Sequence, residues 1–256
     1  MATVLSGTSG ALYYSPAGTK DTFVESAVTV ADDEITLSSY LNLKVGDPVV
    51  FSVVNTETGE TGTGTLPAGI TSGTTYYVIA YTASTGVLQV SATSGGSTIT
   101  ITDDGTVVSP NAFQVEYAAP AVVGSVREWS FEITRSEIDV TTIGQTIGQY
   151  APFRSYITGF ADGSGSATVY TTDDDTTLSN RMIEDVIQRS QAGATMKLYI
   201  DRVTSGGTVN DTTSRSITIP VILTSASLTV NPDDGQSVEI AFRPSAAPTF
   251  DLTKSA

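Results

Sequence analysis

The strongest constraint on this chain is the alternation of bulky and polar side chains in segments of strand length. In residues 126–134 (VREWSFEIT), every second residue from position 129 is large and apolar, and the residues between are polar. The apolar face of this strand is made of Trp129, Phe131 and Ile133. Similar segments rich in Val, Ile, Thr and Tyr recur along the chain between turns that contain Gly, Asp and Pro. The pattern predicts an all-β protein in which these three side chains point into the core.

One segment, residues 173–194, changes from the period of a strand to that of a helix. The apolar side chains that share one helical face are Leu178, Met182, Ile183, Val186 and Ile187. Aspartates at 173–175 precede them, where negative charge suits the helix dipole, and Gly193 is a natural stop. The sequence therefore predicts one α-helix.

The residue types that are missing exclude most catalytic chemistry. The chain has 256 residues with no Cys and no His, so thiolate chemistry and the Ser-His-Asp triad are both absent. A general nucleic-acid binder needs a basic surface, and the formal net charge of this chain is −15. We expect a protein that is not an enzyme.

Adjacent acids are the only candidates left for catalysis or metal binding. Asp103-Asp104-Gly105 and Asp233-Asp234-Gly235 each lie between strand segments, where Asp and Gly are typical of reversing turns. The aspartates at 173–175 lack the spacing of a calcium loop. We expect no catalytic residue, no metal site and no cofactor, although a glycosidase with two distant carboxylates remains a minor alternative.

The N-terminal segment carries no recognisable targeting signal. MATVLSGTSG has neither a basic region nor an apolar stretch, and no window of the chain reaches 18 apolar residues. We expect no signal peptide and no membrane anchor.

Closely spaced strands distinguish the first half of the chain. After a first strand in GALYYSPAG (10–18), candidate strands occur at 27–37, 47–55, 74–82, 86–92 and 97–102. Their spacing predicts a small Ig-like β-sandwich domain over residues 18–114, inserted into a discontinuous core domain of residues 1–17 and 115–256.

The order of the segments resembles the tail tube proteins of long-tailed bacteriophages. The resemblance covers about residues 113–245 and is carried by WSFEI, EIDVTTIG and YITGFADGSGSATV, followed by one acid-capped helix and three closing strands. The stretch GTGTLPAGITSGTTYYVIA (62–80) is similar to a module found in phage structural proteins. Members of the tail tube family have a β-sandwich or barrel core with one flanking helix.

The resemblance implies a virion structural protein of the tail, assembled in the bacterial host cytoplasm. Six copies would close a ring, and stacked rings would form the hollow conduit for DNA ejection. The genome would pass through without specific binding, repelled by an acidic bore. The partners implied are further copies of the chain, the tape measure protein, the tail terminator, and the baseplate or tail tip.

The resemblance also implies positions for the contact residues. Ser130, Glu132 and Thr134 would face the lumen. The loop that would contact the next ring consists of Thr141, Thr142, Ile143, Gly144, Gln145, Thr146, Ile147, Gly148, Gln149 and Tyr150, and it would extend to Phe153. The inserted domain would project from the outer wall, where it would compete with a contractile sheath.

A carbohydrate-binding or cell-binding β module, such as an adhesin or fibre domain, is the alternative from a different class. Exposed tyrosines at 76, 77 and 81 would serve such a module, although alternation along the strand requires at least one of them to be in the core.

Overall fold

The computed structural model describes residues 9–124, 126–141, 154–170, 178–230 and 236–253. Its strands are β1 (Ala11–Ser15), β2 (Asp21–Phe23), β3 (Val28–Thr29), β4 (Glu34–Thr36), β5 (Pro48–Asn55), β6 (Gly64–Thr65), β7 (Thr75–Thr82), β8 (Val87–Ser91), β9 (Thr106–Val107), β10 (Asn111–Tyr117), β11 (Ala121–Val122), β12 (Val126–Asp139), β13 (Tyr156–Tyr170), β14 (Thr195–Asp201), β15 (Thr204–Ser205), β16 (Thr208–Val209), β17 (Arg215–Thr229), β18 (Ser237–Pro244) and β19 (Thr249–Asp251). A 3-10 turn spans Glu25–Ala27, and helix α1 spans Leu178–Asp185. The described residues thus confirm the predicted all-β class with one α-helix.

The larger sheet has eight strands in the order β11-β1-β14-β17-β18-β13-β12, with β19 also paired to β17. Alternate residues of these strands enclose one hydrophobic cluster. Its fully buried members include Leu12, Leu198, Ile219, Ile240 and Phe242. Strands β1 and β12 also contact each other, so the sheet curls around this cluster.

Strand β17 changes partners halfway along its length. Residues 215–220 pair with β14, whereas residues 221–229 pair with β18. Pro220, whose ring removes a backbone donor, lies at the change. Residues 216–218 also pair with β19, so part of the C-terminal segment that lacks periodicity in the sequence is a short edge strand.

Helix α1 packs against β17 and β18 and closes the cluster with Leu178 and Met182. The helix ends at Asp185, eight residues before Gly193, and a turn follows it directly. Ile187 therefore leaves the helical face on which the sequence places it, and its side chain is 88% exposed. The aspartates at 173–175, predicted to precede the helix, lie outside the described residues.

The smaller sheet has seven strands in the order β2-β10-β5-β7-β8-β4-β3, all between residues 21 and 117. It encloses a second cluster that includes Phe23, Phe51, Leu88 and Phe113. The strand predicted at 97–102 is wrong: this stretch makes only an isolated bridge between Ser91 and Thr98. Ile101 nevertheless lies in the core.

Candidate assembly surfaces

The three residues expected to face a lumen lie together on the solvent side of β12. Ser130 is opposite Ser166, Glu132 is opposite Ser164, and Thr134 is opposite Asp162. The hydroxyl oxygens of Ser130 and Ser166 are 3.1 Å apart and share a hydrogen bond. The reverse face carries Trp129 and Phe131, which pack against the large cluster, and Phe131 stacks on Phe242. Ile133, predicted to be buried with them, is about half exposed because the sheet extends beyond its core at this point.

The same polar face continues across β18 and the second half of β17. Its further residues are Ser237, Glu239, Ala241, Arg243, Ser225, Ser227 and Thr229. Most of these side chains are small and polar, and Arg243 lies 3.5 Å from the carboxylate of Asp162. Four adjacent strands therefore present a face that is rich in hydroxyl groups and carries the carboxylates of Glu128, Glu132, Asp162 and Glu239.

Both edges of the four-stranded segment β17-β18-β13-β12 are open in part within the described residues: β12 has no strand on its outer side, and β14 pairs with β17 only at residues 215–220. At the β17 edge, the amide of Val221 donates to the carbonyl of Ala194, and the amide of Leu223 donates to the side-chain oxygen of Gln191. Beyond Leu223 the edge is open, and two large apolar side chains, Leu228 and Val230, are mostly exposed. Unpaired strand edges with apolar side chains are templates for association with another chain.

The hairpin of β12 and β13 extends past the rest of the sheet. Strand β13 pairs with β18 only from Gly165 onward, so residues 156–164 pair with β12 alone. We call the extension, residues 134–141 and 154–163, the hairpin arm. Its exposed apolar side chains are Ile138, Val140, Tyr156, Ile157 and Phe160, the last of which is 94% exposed.

Polar contacts close the end of the hairpin arm. Thr141 donates its amide to Asp139 at 2.9 Å, and its hydroxyl accepts from the amide of Ser155 at 2.9 Å. Hydrogen bonds from the hydroxyl and amide of Thr141 hold the pKa of the Asp139 carboxyl below its usual range. Of the predicted ring-contact loop, Thr141 is therefore at the tip of the arm, and residues 142–153 lie outside the described residues.

Helix α1 joins the two sheets through a buried polar cluster. The guanidinium of Arg181 contacts Asp47 at 2.6 Å and also donates to the backbone carbonyl of Asn42. Asp185 is fully buried and accepts hydrogen bonds from the hydroxyl of Tyr14 at 2.7 Å, the amide of Ala17 at 2.9 Å and the side-chain amide of Asn42 at 2.5 Å. The helix thereby holds the loop of residues 40–47, which leads into β5.

Burial raises the pKa of the Asp185 carboxyl, although its three hydrogen bonds and Arg181 act in the opposite direction. Burial and the neighbouring Asp185 likewise raise the pKa of the Tyr14 hydroxyl. These shifts occur in a closed cluster, and an enclosed ion pair of this kind is structural in most proteins. Sequence patterns alone do not reveal this cluster, because its members are up to 171 positions apart.

The other acids and tyrosines singled out in the sequence make contacts that stabilise turns and loops where the structure describes them. Asp103 accepts a hydrogen bond from the amide of Gly105 at 2.8 Å, and Gly105 has a φ of +80°, which fits a turn. Tyr76 is buried and accepts from the amide of Thr71, and Tyr81 accepts from the amide of Leu41. Asp233 to Gly235 lie outside the described residues. No group of three or more potential metal ligands occurs among the residues that the structure describes.

Within the described part of the chain, no helix has the length and apolar character needed to cross a bilayer.

Comparisons with known proteins give weak structural likenesses. No family model and no curated protein matches the chain. Among solved structures, a chain of the virion of a native gene transfer agent particle is 17% identical, with a TM-score of 0.37 over 52% of this chain and 89% of that one. A chain from the tail of an empty gene transfer agent particle, which has C6 symmetry, is 16% identical, with a TM-score of 0.36 over 52% of this chain and 87% of that one.

Proposed function

We propose that this chain is a virion structural protein, a tail tube subunit that assembles into stacked rings and conducts DNA. One observation carries the proposal: a four-stranded segment has a buried apolar face, a hydroxyl-rich outer face and, within the described residues, open edges at β12 and at the second half of β17. A wall around an aqueous bore needs these three properties, because one face must hold the subunit together while the other stays wet and the edges join neighbours.

The directions of the strands fit lateral association. Consecutive strands of the segment are antiparallel, so its two outer strands, β12 and β17, run in opposite directions. When β12 of one copy lies against β17 of the next, the new pair is again antiparallel. The contact would also cover Ile133 on one side and Leu228 and Val230 on the other, which water reaches in the single chain. This is a head-to-tail contact, which closes into a ring when the rotation between copies permits.

The charges fit a conduit for DNA. On the outer face of the segment, four carboxylates, Glu128, Glu132, Asp162 and Glu239, accompany one arginine, Arg243. A negative wall repels phosphates, and hydroxyl groups keep it hydrated. Ser130, Glu132 and Thr134 would then be lumen residues, and DNA would pass without specific binding.

The hairpin arm is the proposed contact between rings. It lies along the strand direction, which is the direction of stacking for a wall built in this way, and it exposes five large apolar residues. The loop of residues 142–150 would extend that contact. The inserted domain, expected over residues 18–114, would lie on the outside of the tube with the seven-stranded sheet, whose strand β10 continues to Tyr117. The tape measure protein, the tail terminator and the baseplate or tail tip would contact the completed tube in the virion.

Electron microscopy of the purified chain tests the proposal. We expect rings or hollow tubes in negative stain, and averaging of end views measures the copy number, for which the family resemblance implies six. Leu228→Lys should reduce assembly because it puts a charge into the lateral contact, whereas Val24→Lys, at an exposed site of the smaller sheet, should assemble normally. A native chain that stays monomeric at all concentrations and binds glycans would overturn the proposal.

A further inference from the structure

We infer that the loop of residues 40–47 and the end of α1 form a docking surface for a second copy of this chain, continuous with the open edge of β17. The inference rests on the proposed self-assembly and adds a contact outside the β-strand edges. We call this surface the junction patch and define it by Tyr40, Val45 and Ile187.

The junction patch is apolar and exposed although it comes from two different parts of the fold. Ile187 is 88% exposed, Tyr40 is 73% exposed and Val45 is 70% exposed. Single exposed apolar residues are common on protein surfaces, but several on adjoining segments, flanked by polar groups, are typical of interaction sites. Here the flanking groups include the ion pair of Lys44 and Glu184 at 2.6 Å.

A hydrogen bond and an ion pair hold together the two backbone segments that carry these side chains. The side-chain amide of Gln188, next to Ile187, donates to the backbone carbonyl of Tyr40 at 3.2 Å. Lys44, next to Val45, reaches Glu184 on the helix, and the buried pair of Arg181 and Asp47 lies beneath. The patch is therefore preorganised, which reduces the entropy lost when a partner binds.

The backbone of Tyr40 supports a role in binding. Its φ is +66°, in the left-handed region that a bulky side chain rarely occupies. Two hydrogen bonds hold it there: its amide donates to the carbonyl of Ala83 at 2.6 Å, and its carbonyl accepts from Gln188. The ring of Tyr40 is mostly exposed, so it contributes little to the core.

Gln191 connects the junction patch to the proposed lateral contact. Its side-chain amide donates to the carbonyls of Asp185 at 2.8 Å and Gln188 at 3.0 Å, and its oxygen accepts from the amide of Leu223 at 3.4 Å. Within the described residues, the edge of β17 is open immediately after Leu223. A chain that adds to this edge would therefore come alongside the turn that carries Ile187.

A second copy of this chain is the occupant that these observations favour. The strand that fits the β17 edge is β12, which offers the half-exposed Ile133 and partly exposed Trp129 and Phe131 on its core side. Leu228, five residues beyond Leu223, and Val230, which follows β17, are also exposed. One neighbouring subunit would cover the edge and the patch together.

Single-cysteine labelling tests the inference, because the chain has no cysteine and an introduced thiol is unique. Ile187→Cys is compared with Val108→Cys, which is 76% exposed and lies next to Asn111, the end of β10 farther from α1. We expect both thiols to react with a maleimide at similar rates in the monomer. In assembled rings we expect Ile187→Cys to react at least about tenfold more slowly, whereas Val108→Cys keeps its rate.

Substitution gives the second measurement. The double variant Tyr40→Ser/Ile187→Ser should raise the concentration needed for assembly by more than about tenfold, since it removes two large apolar contacts. Val108→Ser should leave that concentration unchanged. Unaltered thermal unfolding of the monomers separates a lost contact from a lost fold.

The two proposals can fail separately. If the native chain forms no rings, the proposed function fails and the junction patch, which depends on it, fails with it. If rings form but Ile187→Cys and Val108→Cys react equally, the inference is overturned and the tube proposal remains. Protection that requires a different tail protein, or a glycan, would also overturn the choice of a second copy.

Discussion

Arg181 and Asp47 form a buried ion pair, with Nη1 2.6 Å from Oδ1, between helix α1 and the loop that leads into β5. Both side chains are more than nine-tenths buried, so neither charge has water as an alternative partner. Each sheet has its own hydrophobic cluster, but the pair links them, so we expect the stability of one to depend on the other.

Breaking this pair from one side should be costly. We expect Asp47→Asn to lower the free energy of unfolding by about 3–5 kcal/mol, because the guanidinium stays buried without its carboxylate. The double variant Asp47→Asn/Arg181→Met should lose less than the sum of the single losses. Urea denaturation measures both. As a control, Arg154→Met breaks an exposed pair with Asp139 and should cost less than about 1 kcal/mol.

Protonation of Asp185 at low pH should raise the free energy of unfolding of the chain. Its pKa in the folded chain is raised above the unfolded value near 3.8, so the folded chain binds this proton more readily. The contribution to stability is complete below the unfolded pKa and is lost as the pH rises through the folded pKa. Relative to Asp185→Asn, the native chain should gain free energy of unfolding as the pH falls toward about 4. A difference between the two chains that does not change with pH would contradict the sign of the shift.

Gly165 should not tolerate a larger residue. A Cβ atom at this position would lie 2.6 Å from Cε2 of Phe242 and 2.7 Å from the carbonyl oxygen of Ser130. Phe242 is buried and stacks on Phe131, so it has no free space to move into. We expect Gly165→Ala to lower the free energy of unfolding by about 1–3 kcal/mol. Gly124→Ala, where nothing lies within 4 Å of the added carbon, is the matched control.

Reversing the charge of the polar face should create affinity for DNA. Replacing Glu132, Asp162 and Glu239 by Lys adds cations to one wet surface, where phosphates can release counterions on binding. Fluorescence anisotropy with labelled duplex DNA should show binding that weakens steeply with salt. In a control variant with the same net charge, Glu57, Glu60 and Asp104 in the region of the smaller sheet are replaced by Lys. This control should bind DNA more weakly than the variant of the polar face.

Polar substitution in the hairpin arm should shorten tubes and leave rings intact. Ile157 and Phe160 are exposed in the single chain, so Ile157→Ser/Phe160→Ser should change monomer stability by no more than about 0.5 kcal/mol for each site. Tube lengths measured in negative stain should fall, while end views of rings persist. Loss of the rings themselves would place the arm in the lateral contact.

Alternation in the sequence predicts the strands and the class of the fold because it reflects which side of a sheet is buried. It predicts the positions of Trp129 and Phe131 correctly but is wrong for Ile133, where the strand continues and the core does not. Helical periodicity similarly identifies Leu178 and Met182 as core residues but not the end of the helix, which leaves Ile187 in solvent.

The buried polar cluster could not be predicted from the sequence. Asp185, Tyr14 and Asn42 are distant in the chain and belong to no short motif, so only the three-dimensional packing brings them together. The stretch 97–102 shows the opposite error: its β-branched residues suit a strand, but Ile101 is bonded through its amide to the Asp33 carboxylate, in a loop. Tertiary contacts decide such cases over local preference.

The four-stranded segment β17-β18-β13-β12 has an even number of strands, and this affects the size of the assembly. Because each copy would add four antiparallel strands, every junction between copies repeats the same pairing, whether five, six or seven subunits close the circle. Hydrogen bonding alone therefore leaves the diameter undetermined. The angle at which β12 meets its neighbour would select it, so residues that set the local twist, such as those at the register shift between Leu223 and Ser225, would determine the width of the bore.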